Sequence, residues 1–174
     1  MILNILGGGG SGKTTLKFAL LQLDGFVGYV SYTTRPRRPT EQDGVHYHFV
    51  SEDQFHSLST LILKRKAGGY LYGIDAKDLF ETSPDKVLVT TFDVEGIRTL
   101  ESLGQEIRVV FLNISECERK RRMLERGDHP SEIEKRIARV DRGKFVNLDF
   151  GSSVIEIKYG SVTEIVEQIL QFLG

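Results

Sequence analysis

The chain has 174 residues, enough for one domain with a sizeable core that carries small inserted subdomains. It is 40% hydrophobic and 27% charged, the composition of an ordinary globular protein. With a net charge of −1, no global field favours nucleic acid or an anionic membrane as partner, so any attraction for a phosphate-bearing ligand must be local. One cysteine, Cys117, excludes an intramolecular disulfide and a cysteine-rich metal site; in a charged helical segment without a histidine partner, it reads as structural. No run of about 18 apolar residues and no signal-type segment stands out, so a cytoplasmic location is expected.

Residues 2–6 (ILNIL) form a short apolar run of strand type. Next comes 7–14, GGGGSGKT, which fills every fixed position of the phosphate loop G-x-x-x-x-G-K-[ST] and leads into a predicted helix at 15–21. Glycines let successive backbone N–H groups curl into an anion nest, and the helix N-terminus adds partial positive charge. Lys13 reaches for the β- and γ-phosphates of a nucleotide, and the Thr14 hydroxyl is the candidate Mg²⁺ ligand. Gly7, Gly10, Ser11, Gly12 and Thr15 complete the candidate nucleotide-binding set.

Residues 26–31 read as a second strand, 32–41 as an ordered loop stiffened by Pro36 and Pro39, and 45–50 (VHYHFV) as an alternating strand. Ser51 and Gln54 have the capping-box spacing and open a helix to about residue 59. A strand is predicted at 61–64, then a Gly68-Gly69 turn. Residues 87–92 (VLVTTF) read as a buried parallel strand delivering Asp93 to its carboxyl end. A helix at 94–103, a strand at 107–112 and a helix from the Ser115 cap to near Gly127 follow. Ser131 and Glu134 are read as a capping box starting a helix towards residue 145, before a strand at 154–157 and a helix at 162–173. Alternating strands and helices predict an α/β doubly wound parallel sheet, interrupted between about Tyr32 and Phe80 by an inserted subdomain.

The segment from Ser31 to Phe55, SYTTRPRRPTEQDGVHYHFVSEDQF, resembles the substrate-binding segment of guanylate kinases, whose pattern is approximately S-x-T-T-R-x-x-R-x-x-E-x-x-G-x-x-Y-x-F-V. With the phosphate loop, Tyr72-Gly73, Asp93-Val-Glu-Gly96 and an arginine-rich lid, the resemblance covers almost the whole chain. It implies one domain of P-loop type, with a core at 1–30, 86–120 and 137–174, a nucleoside-monophosphate subdomain at 31–85 and a lid at 121–136. It implies ATP as phosphoryl donor with Mg²⁺, and a nucleoside monophosphate, GMP or dGMP by default, as acceptor. Arg35, Arg38, Tyr47 and Tyr72 then hold the acceptor monophosphate, and Ser31, which matches a base-reading serine, Glu41 and Asp93 complete the acceptor-binding set. The chemistry of the arginines agrees, since their planar forks suit bidentate phosphate binding. Lys13, Arg38, Arg126 and Arg136 are the expected catalytic set, with Arg122 a third candidate lid arginine. The remaining basic residues of 119–122, and Arg139, read as a solvated helix face.

Two family positions that read guanine depart from the pattern. Leu63 stands where a glutamate accepts from the base, and Ile74 where a Ser or Thr hydroxyl faces it. Asp75 and Glu81 are the acids that could replace the lost carboxylate. On the donor side, Ile157 and Lys158 replace a usual Asn-Asp pair and Gly9 replaces a Ser. Two alternatives therefore stand beside the leading reading: a kinase of this fold with another phosphorylated acceptor, and a non-catalytic binding module. His46 and His48 alternate with Tyr47 and Phe49, which puts the histidines on the opposite strand face.

Overall fold

A computed structural model describes residues 1–39, 41–140 and 153–174. In chain order the first elements are β1 (Ile2–Gly7), α1 (Lys13–Leu20), β2 (Phe26–Gly28), β3 (Tyr32–Thr33), β4 (His48–Phe49) and α2 (Glu52–Ser57). Next come β5 (Leu61–Ala67), β6 (Tyr70–Asp75), α3 (Ala76–Phe80), β7 (Val87–Thr90) and α4 (Val94–Ser102). The chain ends with β8 (Ile107–Leu112), α5 (Glu116–Glu125), α6 (Pro130–Val140), β9 (Val154–Ile157) and α7 (Val162–Leu173). Two compact units emerge, Met1–Phe26 with Val89–Gly174, and Val27–Leu88.

A five-stranded sheet has the order β2-β7-β1-β8-β9, with β1, β8 and β9 paired in parallel. Leu3, Ile5, Val109 and Val110 are almost wholly buried, as continuous apolar strands of a parallel sheet demand. Helices α1 and α7 pack on each other, and α4 packs on β8. Asn4 is the exception in its apolar strand. Fully buried, its side-chain amide donates to the Phe92 carbonyl at 3.2 Å, while its Oδ1 accepts from Thr90 Oγ1 and the Phe92 N–H, both at 2.7 Å. This ties the carboxyl end of β7 to β1 and fixes where Asp93 starts α4, its carboxylate accepting from the Gly96 N–H at 3.1 Å.

The second unit holds a four-stranded sheet in the order β4-β3-β6-β5. Helix α2 carries the expected capping box and buries Phe55, which lies where a Gly73 side chain would be, 3.1 Å from an added Cβ. Any larger residue at Gly73 would displace that ring, whose burial contributes roughly 2 kcal/mol.

Several predicted boundaries move. The 32–41 loop begins as strand β3, and β5 runs three residues past the predicted 64 because it pairs along β6, which the sequence reading did not separate from the turn. Helix α6 starts at Pro130, so Ser131 lies inside it rather than capping it. The His129 ring takes that place, its Nδ1 accepting from the Ser131 N–H at 3.3 Å, and proline is favoured as first helical residue because its missing N–H is an orphan there. The predicted stretch of this helix beyond Val140 lies outside the described residues. Cys117 is exposed on α5, not part of the core.

Candidate active site

In the first unit the phosphate loop joins β1 to α1, with Gly10 at φ +80° and Gly12 at φ +98°. An alanine Cβ at Gly10 would also sit 2.7 Å from the Arg119 carbonyl oxygen, so glycine is needed for both backbone and space. The loop's carbonyls are held by cations. Lys13 Nζ donates to Gly7 O at 2.7 Å and Gly8 O at 3.0 Å, Arg119 Nη1 to Gly9 O at 3.4 Å, and Arg122 Nη1 to Ser11 O at 3.3 Å. With its oxygens so engaged, the loop is free to present N–H groups and positive charge to an anion. Burial pulls the Lys13 ammonium down from 10.5 to about 8, and the neighbouring Arg119 charge adds to the effect. Ser11 Oγ is buried without a hydrogen-bond partner among the described residues, a donor that a bound oxyanion can satisfy.

Arg119 corrects the reading of the basic run as solvated. Only 4% exposed, it is anchored through Nε to the Ile114 carbonyl at 3.2 Å, directly behind the loop. Its neighbour Arg121 fits the surface reading, paired with Glu118 at 2.8 Å.

Both predicted lid arginines converge on Asp128, which the sequence reading did not single out. Arg136 Nη1 lies 2.8 Å from Asp128 Oδ2, and Arg126 reaches the same carboxylate through Nε at 3.2 Å and through Nη2. The Arg136 Cβ lies 3.4 Å from where a Gly9 Cβ would be, so its stem packs on the loop tip. Met123, Ile133 and Ile137 form the core beneath these arginines. A cleft of about 620 Å³ opens beside the loop, lined among others by Thr14, Thr15, Arg122, Arg126 and Ser161. Its size suits a nucleotide. The Arg139 side chain lies outside the described residues.

The second unit brings together most of the predicted acceptor set. Arg35 Nη2 and Glu41 Oε1 pair at 2.7 Å with both side chains about nine-tenths buried, and Glu41 Oε2 accepts from the Arg38 backbone N–H at 2.9 Å. Burial pushes the Glu41 carboxyl up, but the bonds from Arg35 and Arg38 outweigh it and hold it below its ordinary value. The Arg35 guanidinium lies 5.4 Å from the Tyr47 ring centre and 5.7 Å from that of Phe49, and Tyr47 meets Tyr72 edge-on at 6.1 Å. Burial raises the Tyr47 phenol above its ordinary value and Tyr72 adds to this, while Arg35 and Arg65 act against it. Thr33 and Thr34 fix the arginine loop to β6: the Thr33 hydroxyl donates to Leu71 O at 3.0 Å, and Thr34 Oγ1 accepts from the Leu71 N–H at 2.9 Å. The Arg38 side chain projects outward, 54% exposed and 4.0 Å from Glu41. His48 stacks on Tyr32 at 4.6 Å, on the face away from Arg35 and Tyr47.

Ile74, 2% exposed, presents no polar group. Leu63 sits in a bulge of β5 with φ +50°. Asp75 caps α3 through the Lys77 N–H at 3.0 Å and accepts from Thr60 at 2.9 Å, while Glu81 closes the C-terminus of α3.

A phosphate loop opening a parallel α/β sheet, with arginines massed around it, defines a phosphate-loop nucleotide-binding protein. The guanylate kinase family model matches residues 2–172, and the chain belongs to that family. It is 37% identical to a guanylate kinase of Alkalilimnicola ehrlichii over 74% of this chain and 67% of that protein. It is 33% identical to one from Pasteurella multocida over 92% of this chain and 79% of that protein. Among solved structures, a guanylate kinase from Anaplasma phagocytophilum superposes with a TM-score of 0.71 at 20% identity, covering 99% of this chain and 84% of that one. A gluconokinase from Sinorhizobium meliloti shares the fold at a TM-score of 0.52 and 18% identity, covering 98% and 90%.

Proposed function

We propose that the protein transfers the γ-phosphoryl group of ATP to the phosphate of GMP or dGMP. The observation that carries the reading is a pair of built anion sites: the cation-pinned phosphate loop of the first unit and the Arg35–Glu41–Tyr47–Tyr72 clamp of the second. Bringing two phosphates together is a problem of charge and position, so catalysis rests on orientation, exclusion of water and electrostatic stabilisation. Lys13 serves the β- and γ-phosphates, and Arg35 and Arg38 with the two tyrosines orient the acceptor. Arg126 and Arg136, held ready by Asp128, neutralise the transferring group. The attacking phosphate oxygen is largely ionised near neutral pH, so no general base is required. Mg²⁺ accompanies the donor phosphates, and the exposed Thr14 hydroxyl in the cleft fits a hard oxygen ligand for it. None of the described helices is long and apolar enough to cross a membrane, and the proposed place of work is the cytoplasm.

A second reading concerns the acceptor's base. Leu63 and the buried Ile74 give guanine's polar edge no partner, a loss of roughly 1–3 kcal/mol per unpaired group. ADP release with ATP·Mg²⁺ and a panel of GMP, dGMP, AMP, CMP, UMP and dTMP tests both. Preference for GMP or dGMP supports the first reading, equal turnover of several acceptors supports relaxed selection, and no turnover with any overturns both.

A further inference from the structure

The strand β5 changes register against β6 between Ile62, opposite Ile74, and Arg65, opposite Tyr72. Three steps along β5 therefore match two along β6, a bulge at Leu63 and Lys64. In an uninterrupted strand, alternation from Ile62 would put Lys64 on the face of Tyr72 and Ile74 and turn Arg65 away. The bulge reverses this and re-aims Arg65. Leu63 takes φ +50° to make it, a conformation that side chains other than glycine, Asn and Asp rarely adopt and that persists only where the surroundings enforce it.

Arg65 consequently lies over the Tyr72 ring, its guanidinium carbon 5.2 Å from the centre. Tyr72 meets Tyr47 at 6.1 Å, and Tyr47 carries Arg35 at 5.4 Å. Two guanidinium groups thus bracket a pair of phenols. The charges of the clamp explain what the second one adds. Arg35 pairs with Glu41 at 2.7 Å, whereas Arg37, whose bond goes to the neutral Glu41 backbone carbonyl at 3.0 Å, and the outward Arg38 keep their charges. A phosphate monoester near neutral pH carries about −1.5 to −2, and each guanidinium on the face it meets adds to its attraction.

We propose that Arg65 is a further acceptor-binding residue, brought onto the clamp face by the β5 bulge to supply a cation to the acceptor's phosphate. This rests on the acceptor reading above.

The test is the equilibrium affinity of the full chain for GMP and for guanosine, in wild-type protein and in Arg65→Leu, Arg65→Lys, Tyr72→Phe and the Tyr72→Phe/Arg65→Leu double variant. Losing a charge-assisted contact weakens GMP roughly 30-fold in Arg65→Leu, with guanosine unchanged within about twofold and Arg65→Lys recovering much of the loss. The effect persists in the Tyr72→Phe background, because Arg65 acts on the phosphate and not through the Tyr72 hydroxyl. GMP affinity unchanged in Arg65→Leu, an equal loss for guanosine, or an effect that vanishes beside Tyr72→Phe overturns the assignment. Wild-type protein that fails to bind GMP overturns the acceptor reading itself, and this inference with it.

Discussion

Lys13 must meet the donor phosphates as a cation, yet without them it is folded onto Gly7 O and Gly8 O beside the buried Arg119. Lys13→Met keeps most of the stem and removes the charge. With a folded-state pKa of about 8 against the ordinary 10.5, Lys13 is protonated in both folded and unfolded chains below about pH 8, and folding there bears the full penalty of burying the ammonium. Between about pH 8 and 10.5 the unfolded chain holds the proton and the folded chain does not, so stability rises with pH. Above that range the penalty is gone. The full span corresponds to roughly 3 kcal/mol, and the part between about pH 7 and 9.5 to about 2 kcal/mol, an upper value because Lys13 keeps some contact with solvent. Urea unfolding of both proteins at those two pH values isolates it, since every other titration cancels in the comparison. Wild-type protein gains up to about 2 kcal/mol on Lys13→Met as the pH rises, while ATP raises the melting temperature of wild-type protein only. Parallel stability curves for the two proteins would refute the assignment of the buried charge to Lys13.

Gly10→Ala strains a backbone at φ +80° and drives a Cβ against the Arg119 carbonyl; beyond about 1 kcal/mol of backbone strain, ATP affinity measured by calorimetry falls at least about tenfold. Arg119→Leu removes a buried cation whose hydrogen bonds, among the described residues, all go to carbonyls. Urea melts then show stability unchanged or raised, with ATP binding weakened by roughly tenfold, and a loss of stability beyond about 2 kcal/mol contradicts this. Glu41→Gln leaves Arg35 without its carboxylate, costs roughly 2 kcal/mol, and raises the KM for GMP with little change for ATP in steady-state assays. Because the folded state holds the Glu41 carboxyl below its ordinary value, its stabilisation is present above the unfolded pKa and lost as pH falls through the folded one. Acid titration of Glu41→Gln therefore shows a shallower loss of stability than that of wild-type protein.

The parts of the fold that local chemistry dictates were legible in the sequence. The helix α7 (Val162–Leu173) and the strand β8 (Ile107–Leu112) fall where their apolar patterns put them, and α2 has the capping box its Ser51 and Gln54 announce. What depends on a distant partner was not. Strand β6 becomes a strand by pairing with β3 and β5, and the β5 bulge that turns Arg65 exists only in that pairing. Arg119 stands in a run of charges that reads as solvated, yet it is buried on the part of α5 that the phosphate loop packs against. Asn4 carried a usable signal, a lone amide inside ILNIL, since a buried amide needs partners. Asp128 joins two arginines from opposite sides of a turn, a convergence that spacing alone does not disclose.

The proposed activity is direct transfer of a phosphoryl group from ATP to a guanine nucleotide. The measurement that tests it is the fate of label from γ-labelled ATP incubated with GMP, Mg²⁺ and purified protein, with Lys13→Met and Arg38→Ala alongside. Label is expected in the β-phosphate of GDP, with turnover reduced by orders of magnitude in both folded variants. Label released only as inorganic phosphate, or transfer undiminished in either variant, contradicts it.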